Sequence, residues 1–345
     1  MAGLDDRAVA VLMAIVREHI DTSSPVGSRT VARRCGLGLS PATIRNIMSD
    51  LEELGYLQHP HTSAGRLPTD KGYREYVDFC MEGDEGRSEG KVVVESLRGR
   101  LERIRRDATT LLEDITREVS ALSRSVGIAS APGASVARLS RVELVGLKDT
   151  RVLAVVVTEE GIVRNMMVDL EEELGQSYLN EISGFFNREL KGATIEEARQ
   201  RLVREVYEDK AVCDSIMSKV LAICEVFSTG TGQVFVGGRT EMLDHPEFMD
   251  LGKVREIYRA IEDKRRMLVL LDNLAQAGKV QVLIGAETHT EGIEQCSLVA
   301  SPYRQGDRIL GTVGVIGPTR MNYPEIMSIV EETANWLTRV FSEEG

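Results

Sequence analysis

Cysteine is sparse in this chain, and its five residues (35, 80, 213, 224 and 296) include no CxxC pair. That spacing supports neither a disulfide framework nor a zinc site, and it fits buried thiols in a reducing compartment. No apolar run approaches the length of a membrane-spanning helix. The first 25 residues, MAGLDDRAVAVLMAIVREHIDTSSP, open with acidic residues and lack a small-residue cleavage site. They read as an amphipathic helix and not as a secretory leader. Phosphate loops are missing too. Ser228-Thr229-Gly230-Thr231-Gly232 has no P-loop lysine, and neither Gly230-x-Gly232 nor Gly237-Gly238 sits in strand, Gly-rich turn, helix order. His289 and Cys296, with Asp272 and Glu287 nearby, do not define a nucleophile, because that needs adjacency in space and Cys296 lies among strand residues. No catalytic residue, metal or cofactor is assigned. Positive charge is short as well, with a net charge of −12 over 345 residues.

Residues 26–81 carry the strongest pattern in the chain. Ser28 reads as the cap of a short helix with Arg29, Arg33 and Arg34 on its outer side and Val31 and Ala32 facing inward. Residues 35–39, CGLGL, supply a turn. Ser40 caps a second helix, Pro41 suits its first position, and Gly55 ends it. Ile44, Ile47, Met48, Leu51 and Leu54 recur at helical spacing as one buried stripe. Ala42, Thr43, Arg45, Asn46 and Ser49 are left on the other face. Such side chains approach base edges in a major groove, where Arg bridges guanine O6 and N7 and Asn pairs with adenine N6 and N7. The bland alternative is a solvated polar face. Residues 56–59, a loop, and residues 66–69 then form a short hairpin, with His61, Thr62, Ser63 and Arg66 at its tip and base placed to reach a minor groove or phosphates. His59-x-His61 has no third ligand nearby, so no metal is assigned. This is the layout of a winged helix-turn-helix, whose second helix enters the major groove while the first crosses the backbone.

The acidic total needs a local count. Between Arg29 and Arg74 seven basic residues (Arg29, Arg33, Arg34, Arg45, Arg66, Lys71, Arg74) face four acidic ones (Asp50, Glu52, Glu53, Asp70). Phosphate binding follows the local patch, not the whole chain's balance. Residues 82–90 are glycine-rich and charged, a boundary. Leu97, Leu101, Ile104, Ala108, Leu111, Ile115 and Leu122 then fall at 3–4 spacing, to be buried either by a partner helix or by the chain's own next domain. Strands are predicted at 141–147, 151–158, 162–168, 280–284, 295–300 and 309–316, with another possible at 233–236. Helices are predicted at 174–190, 194–207, 211–227, 246–261, 263–277 and 324–341. The pattern fits a multidomain α+β chain with an antiparallel sheet domain. Arg304, Arg308, Arg320 and Tyr323 read either as an anion site or as surface charge.

The segments SPATIRNIMSDLEELGYL and HTSAGRLPTDKGYREYVD, with QVLIGAE (281–287) and GTVGVIGPTRMNYPEIM (311–327), resemble the HrcA family of bacterial heat-inducible transcription repressors. The resemblance covers both ends and the overall length. It implies a winged-helix DNA-binding domain at 1–81, a linker and long helix at 82–125, and a GAF-like domain at 126–190 and 278–345. A mostly helical inserted dimerising domain would occupy 191–277. It further implies a cytoplasmic, nucleoid-associated homodimer on an inverted-repeat operator of double-stranded DNA, released on heat shock, with chaperonin maintaining the active form and no membrane partner. The alternative is a GAF-type regulator controlled by a small-molecule ligand.

Overall fold

The computed structural model describes residues 4–34, 36, 38–60, 65–82, 91–101, 108–131, 137–170, 172–195, 197–198, 200–201, 219–220, 223–224, 233–238 and 240–343. Helix α1 (Asp6–Thr22) starts where the Asp5 carboxylate accepts from the Ala8 amide at 2.7 Å. It ends at Ser23, whose φ of 55° turns its N–H back to the His19 carbonyl. Its Val11, Leu12, Ile15 and Val16 are buried, and it packs against α2 (Ser28–Arg34) and α3 (Pro41–Glu53). The expected cap at Ser28 shifts by one residue: Ser28 is the first helical residue and is buried, and the Gly27 carbonyl accepts from Thr30 and Val31. Strand β1 (Leu57–Gln58) pairs antiparallel with β2 (Leu67–Pro68), and α4 (Asp70–Glu82) completes the winged helix. Main-chain bonds of 2.9 Å in both directions between Val26 and Arg66 tie the wing to the chain before α2.

Helices α5 (Lys91–Leu101) and α6 (Ala108–Ser123) lead to β3 (Val126–Ser130). Next come β4 (Leu139–Gly146), β5 (Arg151–Thr158), β6 (Val163–Asp169) and α7 (Gln176–Glu189), then β7 (Val234–Gly237). Two 3-10 turns precede α8 (Leu251–Glu262) and α9 (Lys264–Ala275). The chain finishes with β8 (Gln281–Ile284), β9 (Cys296–Gln305), β10 (Arg308–Pro318) and α10 (Tyr323–Glu343).

Five strands make one antiparallel sheet in the order β7-β3-β10-β9-β8. Strand periodicity splits its side chains between two layers. Val299, Val313 and Val315 join the core shared with α5, α6, α10 and the winged helix. Leu298, Ala300 and Ile316 face α8 and α9. The leucine stripe is therefore buried inside the chain: Leu97, Leu101 and Ile115 are fully buried and Leu111 nearly so, α5 packs on α10, and α6 packs on β3, β7 and α10. Arg98 forks onto Glu332 at 2.6 and 2.9 Å beside it. Ile104 lies outside the described residues.

The expected domain edges near 190 and 278 do not coincide with the sheet. Among the described residues β4, β5 and β6 pair as strands only with one another, in the order β4-β5-β6, and share a separate core with α7 that reaches Cys224. The excursion from the five-stranded sheet closes where the Ala131 amide donates to the Gln233 carbonyl at 2.8 Å. Thus β4–β6 belong with the excursion, and α8 and α9 with the sheet. The predicted helices at 194–207 and 211–227 fall largely outside the described residues. The predicted helix at 246–261 begins as a 3-10 turn, Pro246–Phe248, before α8.

Candidate nucleic-acid interface

Helix α3 is built to present one face. The Ser40 hydroxyl accepts from the Thr43 amide at 3.1 Å and lies 2.9 Å from the Thr43 hydroxyl, so Ser40 is engaged in capping. Ile44, Met48 and Leu51 are buried and Ile47 is half-buried. Leu54, expected in the same stripe, is 50% exposed, because the helix stops at Glu53 and Leu54 is already its cap. Gly55 follows with φ +79°, donating to the Glu52 carbonyl, a left-handed stop that glycine adopts without strain. Ala42, Thr43, Arg45, Asn46 and Ser49 are all exposed on the opposite side.

The flanking cations divide into two groups. Arg29 and Arg33 are exposed on α2, and Arg33 Nε donates to the Arg29 carbonyl at 3.4 Å. Arg34 is exposed but holds Glu18 of α1 at 2.8 Å. Arg66 is turned into the protein: Nη2 meets Glu52 at 2.8 Å and Nη1 meets the His59 ring. It pins the base of the wing to the end of α3. Lys71 donates to the Leu54 carbonyl at 2.8 Å and lies 4.2 Å over the Tyr56 ring, closing the C-terminal end of α3. Arg74 points to Glu287 in the body. Three of the seven local cations therefore brace the domain, a division that a charge count along the sequence does not reveal. Arg29, Arg33, Arg34 and Arg45 make up the outward cationic set. His61, Thr62 and Ser63 lie outside the described residues.

Behind the winged helix, His19 Nδ1 and the Tyr73 hydroxyl lie 2.7 Å apart. Burial, aided by Arg320 and opposed by Glu247, lowers the His19 pKa to about 4. Burial also pushes Tyr73 up. The residues read as a possible anion site do not converge. Arg320 Nε bonds Glu247 at 2.5 Å and Nη1 bonds the Ile20 carbonyl at 2.7 Å, while Tyr323 is buried on Ser297 and Thr319. Arg304 donates to Asp307's carbonyl at 3.2 Å. Cys296 is a core thiol, pushed up to about 12 by burial. Among the described residues no His/Cys/Asp/Glu group is arranged to hold a metal, and no helix is long and apolar enough to cross a membrane.

The family description "HrcA protein C terminal domain" matches residues 109–327. The heat-inducible transcription repressor HrcA of Geobacter sulfurreducens is 39% identical over 345 residues, covering all of both chains. That of Thermodesulfovibrio yellowstonii is 38% identical over 343 residues, 99% of each chain. A crystal structure at 2.2 Å resolution of a protein described as hypothetical has the same fold, with a TM-score of 0.67 and 24% identity over 99% of this chain and 100% of that one. A capped, outward-facing helix beside a short wing, carried on a mixed α and β body, defines a winged-helix transcription regulator. The chain belongs to the HrcA family of heat-inducible transcription repressors.

Proposed function

We propose that the chain acts as a homodimer that lays one α3 into the major groove of each half of an inverted-repeat operator and excludes polymerase from the promoter. Arg45 and Asn46 read base edges, and Arg29 and Arg33 contact phosphates as positioning groups. The observation that carries this reading is the exposure of Ala42, Thr43, Arg45, Asn46 and Ser49 together on one face of a capped helix. His61, Thr62 and Ser63 of the wing are assigned to the adjacent groove or backbone from the sequence. Arg66 supports the wing from beneath. Two-fold symmetry requires half-sites separated by about 10 bp or multiples. Heat lowers the active fraction in the cytoplasm and chaperonin restores it. The test is a gel shift with an inverted-repeat fragment from a chaperonin operon: the fragment shifts at low protein concentration, and scrambling either half-site abolishes the shift. Equal binding to scrambled DNA overturns the reading.

The excursion supplies the dimer surface in this reading, although its edges differ from those expected. Its sheet packs α7 on one side. By register the other side carries Val145, Leu153 and Met167 in one row and Val157 beside Val163 in another. Val145, Leu147, Val163 and Met167 are 43–49% exposed in the single chain. An apolar sheet face of this kind marks an interaction site, and a second copy covers it. The five-stranded sheet with its helices on both faces we read as the GAF-like domain.

Control by a small molecule is the second reading. It is favoured by a cleft of about 740 Å³ between α9 and the 285–291 loop, with Leu270, Leu274 and Leu283 inside and Arg266 and His289 among its lining. A metabolite that releases the full-length protein from DNA without heating would establish it.

A further inference from the structure

Three stretches far apart in sequence meet behind the winged helix: LPTDKGYREY of α4, QVLIGAE around β8, and GPTRMNY before α10. The α4 side is a fork. Arg74 Nε donates to Glu287 at 2.9 Å, and Nη2 donates to the Val282 carbonyl at 2.6 Å and to the second Glu287 oxygen. Glu287 also accepts from the Ile284 amide at 2.9 Å. Burial alone would raise its carboxyl, but these partners hold it below the usual carboxylate range. Asp70 accepts from the Ala286 amide at 3.3 Å. Gly285 sits between them at φ +54°, and a Cβ there would lie 2.0 Å from the Asp70 carboxylate. Glycine suits this left-handed position, where a side chain would also displace the Asp70 carboxylate.

A second strut stands at the other end of the winged helix. Arg320, forked onto Glu247, donates Nη1 to the Ile20 carbonyl in the last turn of α1 at 2.7 Å. Between the struts the Tyr73 and Tyr323 rings lie 6.2 Å apart, and the two hydroxyls are tied to His19 and to Ser297 respectively. None of these groups is on α2, α3 or the wing. Two charged struts on either side of an apolar contact remove the hinge motion that a single contact would leave.

We propose that this seam is a latch that fixes the recognition helix against the body, and so sets the half-site separation a dimer accepts. Arg74, Glu287 and Arg320 are then positioning residues for operator recognition, without touching DNA. The inference rests on reading the chain as a dimeric operator-binding repressor.

The test uses full-length protein and a series of inverted-repeat duplexes with spacers lengthened in single base pairs to about 5 bp, half of the ~10 bp helical turn. Affinities are read by fluorescence anisotropy for the unaltered chain, Arg74→Lys, Arg320→Gln and the exchange pair Arg74→Glu with Glu287→Arg. Circular dichroism confirms folding, and the mild Arg74→Lys keeps the test usable if the exchange pair does not fold. The unaltered chain should favour one spacer by about tenfold or more over the half-turn insertion, because groove faces rotate away from a rigid pair of helices. Arg74→Lys and Arg320→Gln should bind the best spacer more weakly and discriminate among spacers by only about twofold, since a forked or capping guanidinium is not replaced by an ammonium or an amide. Restored discrimination in the exchange pair would support the latch. Folded variants that keep the unaltered spacer profile, whatever their affinity, overturn it. So does an unaltered chain that binds every spacer alike, which would leave DNA binding standing. Failure to bind any inverted repeat would overturn the underlying reading as well.

Discussion

Arg45 and Arg66 both read in the sequence as DNA contacts, one on the recognition helix and the other at the base of the wing. The structure separates them. Arg45 is exposed on α3, so Arg45→Ala should cost ~1–3 kcal/mol of specific binding and relax sequence preference. Arg33→Ala should weaken all sequences about equally and flatten the salt dependence, as anisotropy titrations at several salt concentrations would show. Arg66→Ala should lower the melting temperature, because it leaves Glu52 and His59 without their shared partner. Loss of operator sequence preference without loss of stability in that variant would return Arg66 to the reading face. His19 supplies a pH dependence. Its folded-state pKa lies near 4, below the ordinary 6.5, so the unfolded chain takes up the proton first as pH falls. The stabilisation is full above about 6.5 and is lost progressively between 6.5 and 4. Tyr73, Arg320 and Glu247 face the ring. Urea midpoints for the unaltered chain should fall more steeply across that window than those of His19→Gln.

At the scale of elements, patterns with a clean period were legible and uniform ones were not. The alternating run of β5 shows as a strand over the residues where the structure has it, Arg151–Thr158. Strand β3 was missed because all five of its residues are buried and it follows α6 almost at once, leaving no alternation to see. Periodicity also says nothing about which sheet a strand joins, so β4–β6 were assigned with β8–β10. The leucine stripe had two possible partners, a helix of another copy or the chain's own next domain, and in the structure it is buried by the chain itself, on α10 and on the β3 and β7 edge of the sheet. In the winged helix, Ser40, Pro41 and Gly55 marked both ends of α3, since caps are local chemistry. The roles of Lys71 and Arg74 were not legible, because their partners depend on tertiary approach. The exposed side of the β4–β6 sheet yields a prediction. Met167→Glu would place a charge in the apolar row proposed to meet a second copy, and sedimentation at micromolar concentration should then give a single 38.1 kDa species. A dimer unchanged by that substitution would move the interface elsewhere.

For the whole molecule, one continuous core runs from α1 through α4 to α10 and one face of the five-stranded sheet. The winged helix is thus not an independent bead, and body and DNA-binding face share their stability. Mild heating should abolish operator binding by the full-length protein, and added chaperonin should raise the recoverable fraction, as gel shifts after cooling would measure. Full operator binding retained well past the melting transition would remove stability as the switch.

The closing bond between Ala131 and Gln233 has a consequence in time. Strand β3, at 126–130, finds its neighbours only at 234–237 and 313–316, so this interior strand waits for most of the chain before it is paired on both sides. Such long-range pairing closes large loops before any contact repays their entropy, and folding is slow in proportion. If heat acts by unfolding the chain, recovery of operator binding after cooling should be paced by the pairing of this sheet, as time-resolved gel shifts would measure.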